Sequence, residues 1–357
     1  MKKRNIIIIA GVALVCIVAL VVALQGSRKA TFKQNYHIED TASITRIFLA
    51  DKQEHEVLLT REGDSTWMVD NKYEANQPLV DLFLETLHSM RIRQQVNRNA
   101  VPTVIKDLSA RAIKVEVYQR VPFINWFGGR LQLFKHEKLT RTYYVGRETK
   151  DMLGSYMFRE GDKVPCVIYI PGFRGFLTPR FVTDPLKWRS HTIVDLDAKS
   201  IARIELEIPA EESESFAVAN NGAGFDMELL EGHRKVMAFD TARMAAFIAS
   251  FTWLNFDEFA SIVPNSNDSS LVGTPRTILR ITDTAGTTRE VCTYIKYVNP
   301  NDIDVIPDSD MYESFDVNRL YAIIDRKDTV LIQYHVFDNI LQPASYFLGA
   351  DTKLEIK

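Results

Sequence analysis

The sequence predicts an α+β protein in which an N-terminal transmembrane helix precedes two tandem, internally duplicated modules of mostly antiparallel sheet plus helix. Three observations predict this fold class. An unbroken apolar run occupies residues 6–24. Many later segments alternate apolar and polar residues, as half-buried strands do. Several of these segments recur in the same order some 157 to 165 residues further on, which indicates a duplication.

The apolar run from Ile6 to Leu24 contains 19 residues and no charged side chain. As a helix it would be about 28 Å long, close to the hydrocarbon thickness of a bilayer. The basic cluster at residues 2–4 favours a cytoplasmic N-terminus, although three basic residues at 28–33 weaken the asymmetry. We therefore expect a single-pass inner-membrane protein with the bulk of the chain in the periplasm. A cleaved secretory signal and a lipoprotein signal at Cys16 are the alternatives.

Length and charge set the domain organisation. The roughly 330 residues after the anchor exceed one ordinary core, so we expect residues 1–27 as tail and anchor, 28–190 as the first module and 191–357 as the second. Arg28 to Arg189 contain 26 Lys+Arg and 19 Asp+Glu, whereas the chain from Ser190 onward contains 14 and 27. This asymmetry either orients the halves against each other or a partner, or only maintains solubility. No nucleic-acid partner is expected in the envelope.

The first part of the duplication consists of three strand-like segments in each copy. They pair 43–49 with 200–206, 56–60 with 215–219, and 67–69 with 224–227. A helix is then predicted over 78–90 and again over 240–254, since apolar residues recur at spacings of three and four. Asp240 or Thr241 is the expected N-cap of the second helix. Both copies close with a predicted hairpin, at 156–170 and at 321–334.

One loop distinguishes the copies. In the second copy, a strand over 276–282 enters a short polar turn at 283–287. In the first copy, the strand over 112–118 enters an apolar and aromatic segment at 121–129. We expect a hairpin tip that docks on a membrane-protein partner or on the membrane surface. The candidate interaction residues are Phe123, Ile124, Trp126 and Phe127. The alternative is that the loop folds back into the core of its own module.

No catalytic constellation is found in the sequence. The seven histidines do not share metal-ligand spacing, and no nucleophile elbow, phosphate-binding loop or dinucleotide fingerprint is present. We therefore expect no enzyme activity, metal or cofactor. The acidic stretch 302–316 lacks the glycine and glutamate of a calcium loop and is interpreted as solvated. Cys166 and Cys292 are either two free thiols or a disulfide.

These features together resemble a known family. An anchor is followed by an Ile-x-x-Ile strand at Ile44 and Ile47, a tryptophan at Trp67, a short helix, a Val-Gly turn at 145–146 and a hairpin bearing Tyr156. In this pattern the chain resembles the family catalogued as domain of unknown function 4340. The resemblance implies a periplasmic accessory role beside ABC-type export systems and no active site. The second copy departs from the pattern, with Phe225 where the first has its tryptophan.

The sequence therefore predicts a non-catalytic accessory or scaffold protein of the inner membrane. It would bind a membrane or envelope protein partner, with an ABC-type transporter as a candidate. The rival interpretation is a periplasmic module that holds a glycan, lipid or peptide in a cleft between the copies. A hydrolase whose residues converge only in three dimensions is the third.

Overall fold

The computed structural model describes residues 35–63, 65–126, 131–260, 271, 273–297 and 315–348. The apolar run predicted to cross the membrane lies outside these ranges. Within them, no helix combines the length and apolar character that a membrane span requires. The chain separates into two compact units, one ending at Arg189 and the other beginning at Ser190. Each unit contains a large antiparallel sheet with a few helices, so the α+β class is confirmed.

In its described residues, the first unit has nine strands and three α-helices. In chain order they are β1 (Ile44–Ala50), β2 (Glu56–Glu62), β3 (Thr66–Val69), β4 (Tyr73–Glu74), α1 (Gln77–Ser89), β5 (Arg91–Gln95), α2 (Val101–Arg111), β6 (Ile113–Trp126), β7 (Leu131–Glu148), β8 (Ser155–Arg159), β9 (Cys166–Tyr169) and α3 (Pro185–Trp188). A single turn of 3-10 helix covers Thr178–Arg180. The sheet order is β4-β3-β2-β1-β6-β7-β8-β9-β5, and all neighbours are antiparallel.

A β-bulge explains the spacing of the apolar residues in β1. Ile44, Ile47 and Leu49 are all fully buried, although strict alternation would put Ile44 and Ile47 on opposite faces. The register against β6 shifts between residues 44 and 46, and the extra residue returns Ile44 to the buried face. The second unit repeats this irregularity between residues 201 and 203, where Ile201 and Ile204 are both buried.

The main core of the first unit lies between the sheet and α1. The helix buries Val80, Phe83 and Leu87, which lie at the spacing of one helical face. The Phe83 ring makes edge contacts with Phe181 at 5.3 Å and Trp188 at 5.4 Å between ring centroids. The predicted helix over 78–90 is therefore present, and its apolar face is the core contact.

Helix α2, which the sequence analysis did not predict, adds a smaller cluster. Its Leu108 packs with Tyr144 and Phe158. A Cβ atom on Gly146 would lie 2.7 Å from Leu108 Cδ2 and 3.2 Å from the Tyr156 carbonyl oxygen. Gly146 therefore lies within β7 and allows the helix to approach closely. The interpretation of residues 145–146 as a turn was wrong, because the glycine is required for packing rather than for a change in chain direction.

The described part of the second unit has eleven strands and three α-helices. In chain order they are β10 (Thr192–Val194), β11 (Ile201–Glu207), β12 (Phe216–Asn220), β13 (Phe225–Leu229), β14 (Arg234–Val236), α4 (Thr241–Ala249), β15 (Leu254–Asn255), β16 (Glu258–Phe259), β17 (Thr277–Asp283), β18 (Thr288–Tyr297), β19 (Phe315–Ile324), β20 (Asp328–Gln333), α5 (Tyr334–Phe337) and α6 (Ala344–Phe347). Turns of 3-10 helix cover Glu212–Glu214 and Glu231–His233. The large sheet has the order β14-β13-β12-β11-β17-β18-β19-β20-β16, and β10 pairs with β15.

An aromatic core holds the second unit together. Phe247 of α4 lies 5.2 Å from Phe251 and 5.3 Å from Phe347 between ring centroids. Asp240 caps α4 as expected, since its carboxylate accepts the backbone N–H groups of residues 242 and 243. The helix ends at Ala249 rather than near residue 254. Trp253 has a φ of 60°, and this left-handed conformation redirects the chain into β15.

The two large sheets have the same order of equivalent strands. Pairing registers place Phe225 of β13 at the position of Trp67 in β3, as the sequence comparison indicated. The copies differ at two hairpins. Ile113 pairs with Val145, 32 positions later, whereas the equivalent Thr277 pairs with Thr293, 16 positions later. Val145 then pairs with Met157, 12 positions later, whereas Thr293 pairs with Ala322, 29 positions later.

Candidate functional site

A two-stranded ribbon extends from the first sheet. The pairing of β6 with β1 ends at Gln119, and the pairing of β7 with β8 begins at Tyr143. Between these points β6 and β7 pair only with each other, as far as Trp126 opposite Leu131. The arm from Gln119 to Trp126 is about 24 Å long at roughly 3.4 Å per residue. We call residues 120–126 and 131–139 the ribbon.

The outer part of the ribbon exposes large apolar side chains. Phe123 is 77% exposed and Phe134 is 74% exposed, and Leu133 is 41% exposed. Single exposed apolar residues are common, whereas a cluster of them on a projecting element is typical of contact surfaces. The interpretation of residues 121–129 as a loop was therefore incomplete, because the strands continue to residue 126.

The four candidate interaction residues have different positions. Phe123 is exposed, and Ile124 is half-buried and pairs with Leu133. Trp126 is the last described residue of β6, and Phe127 lies outside the described residues. The structure thus brings Phe123 and Ile124 together on one ribbon, and it adds Phe134, which the sequence analysis did not select.

Phe134 has an unusual backbone conformation. Its φ of 56° is in the left-handed region, which is rare for a bulky side chain and costs on the order of 1 kcal/mol or more. Pro122 pairs with Lys135, and Ile124 pairs with Leu133. Phe123 and Phe134 lie opposite each other between these pairs, but no ladder pairing joins them. The Phe123 ring instead lies 6.2 Å from the His136 ring between centroids.

A basic groove of about 860 Å³ lies at the base of the ribbon. Its cationic lining residues are Arg61, Arg120 and Lys135, and its acidic lining residue is Asp40. Asp40 Oδ1 accepts a hydrogen bond from the backbone N–H of Ser43 at 3.2 Å, which places this carboxylate in a local turn. The groove therefore has an excess of positive charge.

The nearest acid on the ribbon is already paired. Glu137 lies opposite Arg120 in the ladder, but its Oε2 lies 2.9 Å from Arg46 Nη2 and its Oε1 accepts the Thr45 hydroxyl at 2.6 Å. In the part of the chain that the structure describes, no ion pair involves Arg120 or Lys135.

The segment that precedes β1 is fixed against the first unit. Tyr36 and Ile38 are buried, and the Ile38 N–H donates to the Leu87 carbonyl at 2.9 Å. The Tyr143 hydroxyl donates to the Tyr36 carbonyl at 2.6 Å. The segment then reaches the groove, where Gln119 Nε2 donates to the Asp40 carbonyl at 3.1 Å. The chain that follows the predicted anchor is thus attached directly beside the ribbon.

A buried ion pair strengthens this attachment. Arg159 Nη2 lies 2.6 Å from Asp162 Oδ1, with side-chain exposures of only 9% and 1%. Arg159 Nη1 donates to the Asn35 carbonyl at 2.8 Å, and the Arg159 backbone N–H donates to the Tyr36 hydroxyl at 3.1 Å. Burial raises the pKa of Tyr36, and the nearby Cys166 and Asp162 raise it further. The sequence did not predict this pair, because Arg159 and Asp162 lie in a predicted hairpin turn, where charged side chains are usually exposed.

The second unit contains a polar cavity of about 630 Å³, whose lining includes Asp316, Arg319, Tyr334 and His335. Asp316 Oδ2 accepts a hydrogen bond from Lys296 at 2.8 Å. Burial raises the pKa of Tyr334. Among the hydrogen bonds of the described residues, none joins His335 to a hydroxyl or carboxylate.

The metal sites, the cysteines and the acidic stretch considered in the sequence have the following positions. Over the described ranges, no group of three His, Cys, Asp or Glu side chains is arranged to hold a metal ion. Cys166 and Cys292 are both free thiols, and burial raises the pKa of each. The acidic stretch lies outside the described residues except for Asp316.

The chain matches the model of a protein family. The family model described as Domain of unknown function (DUF4340) matches residues 67–273, which extend from β3 to the residues before β17. The matched region is more than half of the chain and includes the ribbon. No curated protein and no solved structure matches the chain.

Proposed function

The chain belongs to the DUF4340 family, and we propose that it is a non-catalytic, periplasm-facing accessory or scaffold protein of the inner membrane that binds an envelope protein partner. The single observation that carries this proposal is the ribbon with its exposed Phe123 and Phe134. Burying a phenylalanine side chain stabilises a complex by about 1.5–3 kcal/mol, so the two rings supply the anchors that interfaces use.

The predicted anchor supports the location. A helix over residues 6–24 would leave ten residues, 25–34, before the described chain begins at Asn35. Ten residues reach at most about 35 Å. Such a tether would keep the first unit and its ribbon beside the membrane, where an ABC-type transporter or another envelope assembly would meet it.

Several groups with shifted pKa values belong to structural contacts. The pKa of Tyr143 is raised by burial within the core, not by groups in a cleft. In the second unit, Arg280 contacts Glu207 and Glu290, and the hydrogen bond from Arg280 lowers the pKa of Glu290. The charges of Arg280, Glu207 and Glu290 are paired with one another, which is typical of structural ion-pair networks.

Affinity purification from detergent-solubilised membranes tests the proposal. A photo-crosslinking amino acid at position 123 of the full chain should capture one specific protein. The double variant Phe123→Ser/Phe134→Ser should lose this protein, whereas Met237→Ser, at a side chain that is 63% exposed in the second unit, should retain it.

The fold of the double variant should be unaffected, because both replaced side chains are mostly exposed and such changes usually alter stability by less than about 0.5 kcal/mol. Recovery of the same companion from wild type and the double variant would contradict a docking role for the ribbon. Unfolding of the variant would support the alternative that these rings belong to a core.

A further inference from the structure

We propose that a pocket between helix α2 and the first sheet binds a medium-chain acyl carboxylate, with the acyl chain against the helix and the carboxylate on Lys52. The inference goes beyond the proposed function. It uses neither the ribbon nor the chain before Asn35.

The pocket lies on the face of the first sheet that is opposite the main core. Tyr143 and Val145 of β7 belong to the main core, whereas Tyr144, which lies between them, packs with the cluster of α2. Successive side chains of a strand point to opposite faces of a sheet. The residues that line the pocket are Lys52, Ile105, Leu108, Ser109, Tyr144 and Phe158. The pocket therefore lies along one side of α2, with the sheet as its floor.

The size and the walls of this pocket fit a small apolar group. Its volume is about 400 Å³, and its walls are Ile105 and Leu108 of α2 and the rings of Tyr144 and Phe158, whose centroids lie 6.3 Å apart. Small-molecule sites are typically pockets of about 300–1,000 Å³ with mostly apolar walls and a few polar groups. A single turn of a partner helix, about 10 Å wide and 5.4 Å long, would already fill this volume. A small molecule therefore fits the pocket better than a protein segment.

The volume also sets the length of the acyl chain. A methylene group occupies about as much space as a water molecule in the liquid, ~30 Å³. A chain of about ten carbons would therefore fill the pocket, and the carbons of a longer chain would extend into solvent.

The polar groups of the pocket favour an anionic head. Lys52, in the turn between β1 and β2, is the charged residue of the lining, and the Tyr144 hydroxyl is a second donor. The Ser109 hydroxyl donates to a carbonyl of the preceding helical turn at 2.9 Å. Lys114 pairs with Tyr144 in the ladder, and its ammonium lies 2.6 Å from the Glu116 carboxylate, so these two charges offset each other. Because an ammonium has donors and no acceptor, a carboxylate on the apolar chain complements Lys52.

The duplication assigns this pocket to the first unit. In the described part of the second unit, the pairing registers put Cys292 at the position of Tyr144 and Tyr294 at the position of Gly146. A Cβ atom on Gly146 would lie 2.7 Å from Leu108 Cδ2, so only glycine lets α2 approach the first sheet this closely. A tyrosine at the equivalent position would hold a helix further from the sheet. The proposed site is therefore specific to the first copy.

The test uses the full chain in lipid nanodiscs and decanoic acid with a terminal diazirine as the probe. Photolysis should attach the probe to the peptides that contain α2 or Phe158, as mapped by mass spectrometry. Unlabelled decanoate should compete, whereas decanol and decylamine should compete about tenfold less well, because they lose the charged contact with Lys52. Equilibrium dialysis gives the free concentration of each competitor and so corrects for its uptake into the lipid.

Two pairs of variants test the two ends of the site. Ile105→Glu should reduce the labelling about tenfold or more, because it puts a charge in the apolar wall. Leu82→Glu is the matched control on α1, since Leu82 is 41% exposed and Ile105 is 37% exposed. Lys52→Glu should reverse the order of the competitors, so that decylamine competes better than decanoate. Lys199→Glu, at an exposed lysine of the second unit, should leave the order unchanged. Unchanged thermal transitions would show that the variants are folded.

Three results would overturn the inference. They are labelling that maps outside the peptides with α2 and Phe158, labelling that is equal in wild type and Ile105→Glu, and an order of competitors that is the same in wild type and Lys52→Glu. The third result keeps the inference falsifiable if Ile105→Glu does not fold. None of these results bears on the companion protein expected at the ribbon, so the two proposals fail separately.

Discussion

The buried Arg159–Asp162 pair offers a sharp test of how the first unit is held together. In the variant Arg159→Met, the Asp162 carboxylate, which is 1% exposed, would lose its cationic partner at 2.6 Å. The carbonyl of Asn35 would also lose a donor. Removing one partner of a buried pair costs about 3–5 kcal/mol, because the remaining charge stays desolvated. A domain with total stability of about 5–15 kcal/mol would lose a fifth or more of it.

The assay is urea unfolding followed by tryptophan fluorescence. Trp67 and Trp188 are buried in the first unit, whereas Trp253 is 61% exposed in the second, so the buried pair reports the first unit. The transition midpoint of Arg159→Met should fall while its slope stays constant.

The double variant Arg159→Met/Asp162→Leu is the matched control. It removes both charges and should recover most of the lost stability, since buried pairs are often replaced by apolar residues without loss. A single variant that loses less than about 1 kcal/mol would refute the reasoning. A double variant as unstable as the single would show that packing, not the unpaired charge, carries the effect.

Two further predictions follow from close packing and from charge. Gly146→Ala should destabilise the first unit by about 1–3 kcal/mol, because the new Cβ would lie 2.7 Å from Leu108 Cδ2, whereas Gly224→Ala meets open space and should be tolerated in denaturation assays. Hydrogen bonds from Thr149 and Arg93 hold the pKa of Asp151 at about 2. Because this folded-state pKa lies below the unfolded value of about 3.9, the stabilisation is present above pH ~4 and is lost as the pH falls towards 2. An NMR titration of Asp151 should show its pKa move up in Arg93→Ala.

A melting temperature of Gly146→Ala equal to that of wild type would contradict the packing argument. An Asp151 pKa that is unchanged in Arg93→Ala would show that the hydrogen bond from Arg93 does not lower it.

The sequence predicted the strands that carry a clear periodic signal. The paired segments at 43–49 and 200–206 became β1 and β11 because their apolar residues meet a core on one face. Ile44 and Ile47 are three residues apart, which strict alternation would place on opposite faces of the strand. The β-bulge between them puts both side chains on the buried face. Repetition of the same pattern in the second copy made the assignment stronger than either copy alone.

Other features depended on tertiary contacts that no local pattern records. Helix α2 has only two buried residues, Val104 and Leu108, so its apolar face is narrow. Pro102 near its start was the available signal. Beyond Gln119, β6 is a strand because it pairs with β7, which is distant in the sequence. The local sequence of this aromatic segment is the same whether it forms a loop or a paired ribbon, so it does not predict which one forms. Arg159 and Asp162 are residue types that are usually exposed, and only the fold shows that they are buried.

The difference between the two long hairpins has a practical consequence. Thr282 and Thr288 close the second sheet across a short polar turn, and the strands below it pair in the register that the first sheet uses. The sheet is thus complete without any ribbon. Grafting residues 282–288 between Val117 and Arg141, which are the equivalents of Ile281 and Arg289, would give a form of the protein that is blunt at this edge. Such a form would separate whatever the cell requires of the ribbon from what it requires of the rest of the molecule.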